Sequence, residues 1–211
     1  MTRVSLAAAS ISLLLSMVLG TACLVAQGPL PGDAAMTRAL QSAMGAAPGW
    51  ATFLTNTAKS PVVWITLCVA VGLMCARDNW GGAVIPPLAL LIAYLADALL
   101  RALIFAPKPS PELVSVAAAS TASGLPSTFA LVYGGLFGSV IFSQGKRSVI
   151  SVSAVILSTV FIIVGSCARL VLGGHWTSQL VASFLLMFSF VILLNLARQA
   201  WDQMQAPAQH R

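Results

Sequence analysis

Ionisable side chains are scarce in this sequence, so those inside or beside its apolar stretches are candidates for chemistry. Asp97 and Arg101 stand four apart in one such stretch, the spacing that brings two side chains onto one face of a helix. Lys108 follows the end of that stretch, Arg169 closes another, and His175 opens a third. If Arg101, Lys108, Arg169 and His175 converge at one end of a helical bundle, three cations and an imidazole would hold a doubly charged anion such as phosphate. The same residues also have plainer readings. Arg101 and Lys108 would act as anchors whose long side chains reach lipid headgroups. His175, flanked by Gly173, Gly174 and Trp176, would be an interfacial ring. His210, in the polar tail, carries no signal.

The elements that must position these residues are membrane helices. Of 211 residues, 58% are hydrophobic and 8% charged, and the mean hydropathy is +0.93, a composition that excludes an ordinary soluble domain. A spanning helix needs roughly 20 mostly apolar residues. Six stretches qualify, near residues 4–26, 61–76, 83–106, 126–143, 149–172 and 176–197, the second and fourth being short. The expectation is therefore an all-α, polytopic membrane protein: one domain over residues 1–211, with six helices in a bundle, outer loops at 27–60 and 107–125, and a polar tail at 198–211 that frays. Within the first outer loop, residues 34–44 have the apolar spacing of a helix lying on the membrane surface, or form a plain connection.

The net charge of +6 comes from scattered single residues with no aromatic-interleaved basic patch, which argues against nucleic acid as a partner. Its distribution is topological. With both termini cytoplasmic, Arg3, Arg77, Lys146, Arg147, Arg198 and Arg211 fall inside, while Arg38, Lys59, Arg101, Lys108 and Arg169 fall outside. That points to an integral protein of a bacterial inner membrane with its charged site facing outwards. The first stretch reads as a retained helix, its apolar run being too long for a typical signal peptide. Cys23, Cys68, Cys75 and Cys167 all lie within expected spans and read as apolar filler. No metal-ligand set or cofactor motif is present. The paired broken helices of a transporter are absent too.

Three blocks add a resemblance. Arg101 is followed by six residues and Lys108-Pro109; Pro126-Ser127-Thr128-Phe129 opens the fourth stretch; Ala168-Arg169 is followed by five residues, His175, and Gln179 four further on. In order and spacing these resemble the signatures of the type-2 phosphatidic acid phosphatase and haloperoxidase superfamily: Lys-x6-Arg-Pro, Pro-Ser-Gly-His and Ser-Arg-x5-His-x3-Asp. The resemblance implies a hydrolase acting on a lipid phosphate or polyprenyl pyrophosphate, with membrane lipids as partners. His175 would be the nucleophile that forms a phosphohistidine. Arg101, Lys108, Arg169 and Ser127 would bind phosphate, and Gln179 would orient the histidine.

Arg101 and Lys108 keep the charges of the first signature with the two identities exchanged, and three further departures bear on catalysis. Phe129 stands where the family has the histidine that protonates the leaving oxygen, and it cannot donate a proton. General acid catalysis is worth roughly 10²- to 10⁴-fold. Gln179 replaces the aspartate that supports the imidazole as it becomes cationic, and Thr128 replaces a glycine that gives the phosphate room. A pyrophosphate substrate would suffer least, because its leaving group is itself a phosphate of low pKa. The alternative is a catalytically silent member that binds lipid headgroups or serves as an accessory subunit of a membrane protein partner.

Overall fold

The computed structural model describes residues 2–205 apart from 79, 146 and 147. The expected inner charges Lys146, Arg147 and Arg211, and His210, lie outside the described residues. All regular structure among the described residues is helical: α1 (Thr2–Ala26), α2 (Asp33–Met44), α3 (Gly49–Asn56), α4 (Val63–Asp78), α5 (Ile85–Leu103), α6 (Thr128–Ile141), α7 (Val149–Val171) and α8 (Thr177–Gln205), with a short 3-10 turn at Trp80–Gly82.

Local sequence explains where these helices begin. Pro86 and Pro87 open α5, where a missing N–H costs nothing. Ser127 and Ser148 cap α6 and α7, their side-chain oxygens accepting from Ala130 N at 3.4 Å and Ser151 N at 3.2 Å. Four helices, α1, α7, α8 and the stretch Trp80–Leu103 containing α5, are long and apolar enough to cross a membrane. Their outward faces carry exposed Leu14, Val18, Leu95, Leu99, Ile156 and Ile163, as a hydrocarbon solvent requires. The 14 residues of α6 span only about 21 Å at roughly 1.5 Å per residue.

That short helix is the centre of the bundle, with Phe129 to Val140 buried between α4, α5, α7 and α8. Its glycines make this possible. A Cβ on Gly135 would stand 3.2 Å from the Ala89 carbonyl oxygen of α5, and one on Gly138 3.1 Å from the Phe188 ring of α8, so neighbouring helices close directly onto the α6 backbone.

Two sequence expectations change. The stretch 27–60 is not a simple loop: α2 is a helix packed on α7 and α8, and α3 is a further helix packed on α7. Nor is the tail frayed from Arg198. Arg198 bonds Asp78 at the end of α4 at 2.5 Å and pairs with Asp202 one turn on at 3.8 Å, and these contacts carry α8 through Gln205. This end of the bundle, with Arg77 bonded to Ser143 O and Ser151 Oγ, is opposite the one described next.

Candidate active site

At the other end, the C-terminus of α5, the N-terminus of α6, the C-terminus of α7 with the turn after it, the α3–α4 corner and the 107–125 loop surround a cavity of about 440 Å³. Its lining includes Arg101, Lys108, Arg169 and His175, so four of the six residues singled out in the sequence share one space. Lys59 lines it as well, and no Asp or Glu does. Thr128 and Phe129 complete the α6 side.

Arg169 emerges from the last turn of α7. A Cβ on Gly174 would stand 2.8 Å from its guanidinium carbon, so the planar group lies directly over a glycine. Its Nε is shielded from solvent without a hydrogen-bond partner, and none of its guanidinium nitrogens meets an acceptor among the described residues. A shielded cation with no counter-charge is costly unless something anionic joins it. Arg101 is the opposite case. Nε meets both oxygens of Asp97 at 3.0 Å, Nη1 donates to Ser123 O at 3.0 Å, and Nη2 donates to Pro126 O and Thr128 Oγ1 at 2.8 and 2.9 Å. Thr128 in turn donates to Asp97 Oδ1 at 2.8 Å. Thr128 is thus a strut between Asp97 and Arg101, and Arg101 is chiefly a clasp that ties α5 to the start of α6.

His175 is buried in the turn between α7 and α8, and its neighbour Trp176 is buried too, which removes the interfacial-ring reading. The turn needs Gly173, whose φ is +61° and whose Cβ would stand 2.2 Å from Ser115 O. His175 Nδ1 lies 2.8 Å from Gly124 O. A carbonyl only accepts, so Nδ1 carries the proton and Nε2 the lone pair. Burial, and after it the field of Arg169, hold the ring well below the usual imidazole pKa. Burial, then Arg169, Arg101 and Lys59, likewise lower Lys108, whose Nζ donates to Ser120 Oγ at 3.1 Å.

The partner of Nδ1 corrects one expectation. Gln179, which the resemblance implied would orient His175, makes no hydrogen bond to the ring among the described residues. Its Nε2 donates to Pro107 O at 2.8 Å and its Oε1 accepts from Trp176 N at 3.2 Å, while its amide presses on Gly124, where a Cβ would stand 2.5 Å away. The geometric reason is that Gln179 is fully buried on the side of α8 that faces the 107–125 loop. Ser127 does not line the cavity either. It is buried, its Oγ caps α6, and its N–H donates to Ser183 Oγ at 2.9 Å. Phe129 is wedged against Gly165 of α7, 2.5 Å from the position of a Cβ there, and packs on Tyr133 with ring centroids 4.2 Å apart. No group of three His, Cys, Asp or Glu converges among the described residues, and a cationic lining repels metal ions.

The described residues thus form an all-helical bundle whose cationic cavity has no carboxylate in its lining and includes His175. Of this chain, 97% superposes on 98% of the crystal structure of a transmembrane PAP2-type phosphatidylglycerolphosphate phosphatase from Bacillus subtilis, at a TM-score of 0.64 and 14% sequence identity. The two share a fold, that of an integral membrane protein. No protein-family model matches the sequence, and no curated protein matches it.

Proposed function

We propose that this protein is a membrane phosphatase that hydrolyses a lipid phosphate or polyprenyl pyrophosphate through a phosphohistidine, at a reduced rate. The observation that carries this reading is Arg169, shielded and without a counter-charge among the described residues, in the same cavity as a His175 whose Nδ1–H is fixed by Gly124 O. Nε2 attacks phosphorus, the N–P bond forms, and the P–O bond to the leaving group breaks with its electron pair leaving on oxygen. Arg169 and Lys108 stabilise the charge spread over the equatorial oxygens, and water then attacks phosphorus to release phosphate and free Nε2. With Phe129 beside the cavity the leaving oxygen has no imidazole to protonate it, which favours a leaving group that is already a good anion. In this reading α1 and α4–α8 form one domain of six spans, both termini are cytoplasmic, and the cavity opens outwards from a bacterial inner membrane.

Phe129 favours a second reading, headgroup binding without turnover, as an accessory to a membrane protein partner. Phosphate release from phosphatidic acid and from a polyprenyl pyrophosphate separates the two. Release that disappears in His175→Ala, is faster on the pyrophosphate, and rises on phosphatidic acid in Phe129→His supports the phosphatase. Release no greater than that of His175→Ala on either lipid rejects it in favour of binding.

A further inference from the structure

The charge balance of the cavity is not closed by one phosphoryl group. Arg101 is neutralised by Asp97 at 3.0 Å, which leaves Arg169, Lys108 and Lys59 as cations without a carboxylate in the lining. A phosphate monoester brings about −1.5 to −2 charges. The third cation, Lys59, lies outside all three sequence blocks. It follows the C-terminus of α3, and its Nζ donates to Asn56 Oδ1 at 3.1 Å, leaving two N–H groups free to donate. Lys108, bonded to Ser120 Oγ at 3.1 Å, is likewise left with two.

The cations reach one lining from different elements: Lys59 and Asn56 from the α3–α4 corner, Lys108 and Ser120 from the 107–125 loop, and Arg169 and His175 from the end of α7 and the turn after it. The cavity's 440 Å³ lies in the range of about 300–1,000 Å³ found for pockets that enclose whole small ligands, more than one phosphoryl group needs. Besides Ala58 and Ala117 to Ala119, the lining carries the polar Thr52, Asn56, Lys59 and Ser120.

We propose that Lys59, with Asn56 and Ser120, forms a second anion subsite, bridged by Lys108 to the Arg169–His175 site and shaped for a headgroup with a further phosphoryl group beside the one attacked. The subsite rests on the phosphate-binding reading of the cavity and adds to it a residue that selects among phosphorylated headgroups. Lys59 is exposed, so its replacement leaves the bundle's packing alone.

Binding of inorganic phosphate and of methylenebisphosphonate, which cannot be hydrolysed, is measured by calorimetry on the full chain in detergent, with Lys59→Gln and Arg169→Gln alongside. The bisphosphonate is expected to bind roughly tenfold tighter than phosphate. Lys59→Gln should erase that preference and leave phosphate affinity within about twofold, while Arg169→Gln should weaken both anions. Equal affinities in the parent protein, or a Lys59→Gln variant that weakens both anions in proportion, overturn the subsite and leave the phosphate site standing. Binding of neither anion overturns both.

Discussion

Two arginines in one cavity differ in what surrounds them, and that difference sets what each substitution does. Arg101 meets Asp97, two carbonyls and Thr128, so Arg101→Gln should expose its cost in stability as well as function, leaving Asp97 without its partner. The Nε of Arg169 is shielded from solvent and has no hydrogen-bond partner among the described residues. Arg169→Gln should leave the melting temperature equal or higher, because an uncompensated charge is removed, and lower kcat/KM by about 10²- to 10³-fold, as loss of a preorganised oxyanion donor does. Thermal melts and steady-state assays on the two variants check the contrast. The pH profile follows from His175. Its folded-state pKa is depressed, so the nucleophile stays neutral down to below the ordinary imidazole range, and the acid limb of kcat/KM should lie well under pH ~6.5. A bound dianion offsets the field of Arg169, so the limb of kcat should lie at higher pH than that of kcat/KM. Stability follows the same sign: it is present above the unfolded-state pKa and falls as pH drops below it, because the unfolded histidine takes up protons first.

At the scale of elements, the site depends on the 107–125 loop, which is tied down at Ser115, Ala117 and Gly124. Gly124 donates to Ala106 O at 2.7 Å and offers its own carbonyl to His175, while Gln179 spans Pro107 and Trp176. Gly124→Ala would drive a methyl into the Gln179 amide and displace that carbonyl. Assays should then show a fall in kcat larger than the change in KM, with the acid limb moved, since the tautomer is no longer fixed. The spacing in the sequence was enough to bring Arg101, Lys108, Arg169 and His175 to one cavity, because each sits at a helix end and helix ends are legible from the apolar runs beside them. It was not enough for Gln179. The resemblance places it beside His175, but His175 belongs to the turn and Gln179 to α8, where its amide bonds Pro107 O and Trp176 N instead. Lys59 and α3 were illegible for a related reason. Eight residues carry too little periodicity to be read, and the position of Lys59 is decided by the packing of α3 on α7.

At the scale of the whole molecule, polar groups gather at the two ends of the bundle. One end holds the cationic cavity under the 107–125 loop; the other holds Asp78, Arg77 and Arg198 between α4, α7 and α8. The ends are separated by α6, which at about 21 Å by its rise per residue is shorter than a hydrocarbon core of roughly 30 Å. The helices packed around it are longer, from 16 residues in α4 to 29 in α8. The charge rule assigns the Arg77–Arg198 end to the cytoplasm. In a background in which all four native cysteines are replaced by Ala, a single cysteine at Gly32, between α1 and α2 on the cavity side, should react in intact cells with a reagent that cannot cross the membrane. One at Gln144, between α6 and α7, should react only after permeabilisation. The reverse pattern would turn the cavity towards the cytoplasm, and the proposed lipid substrate would then have to come from the inner leaflet.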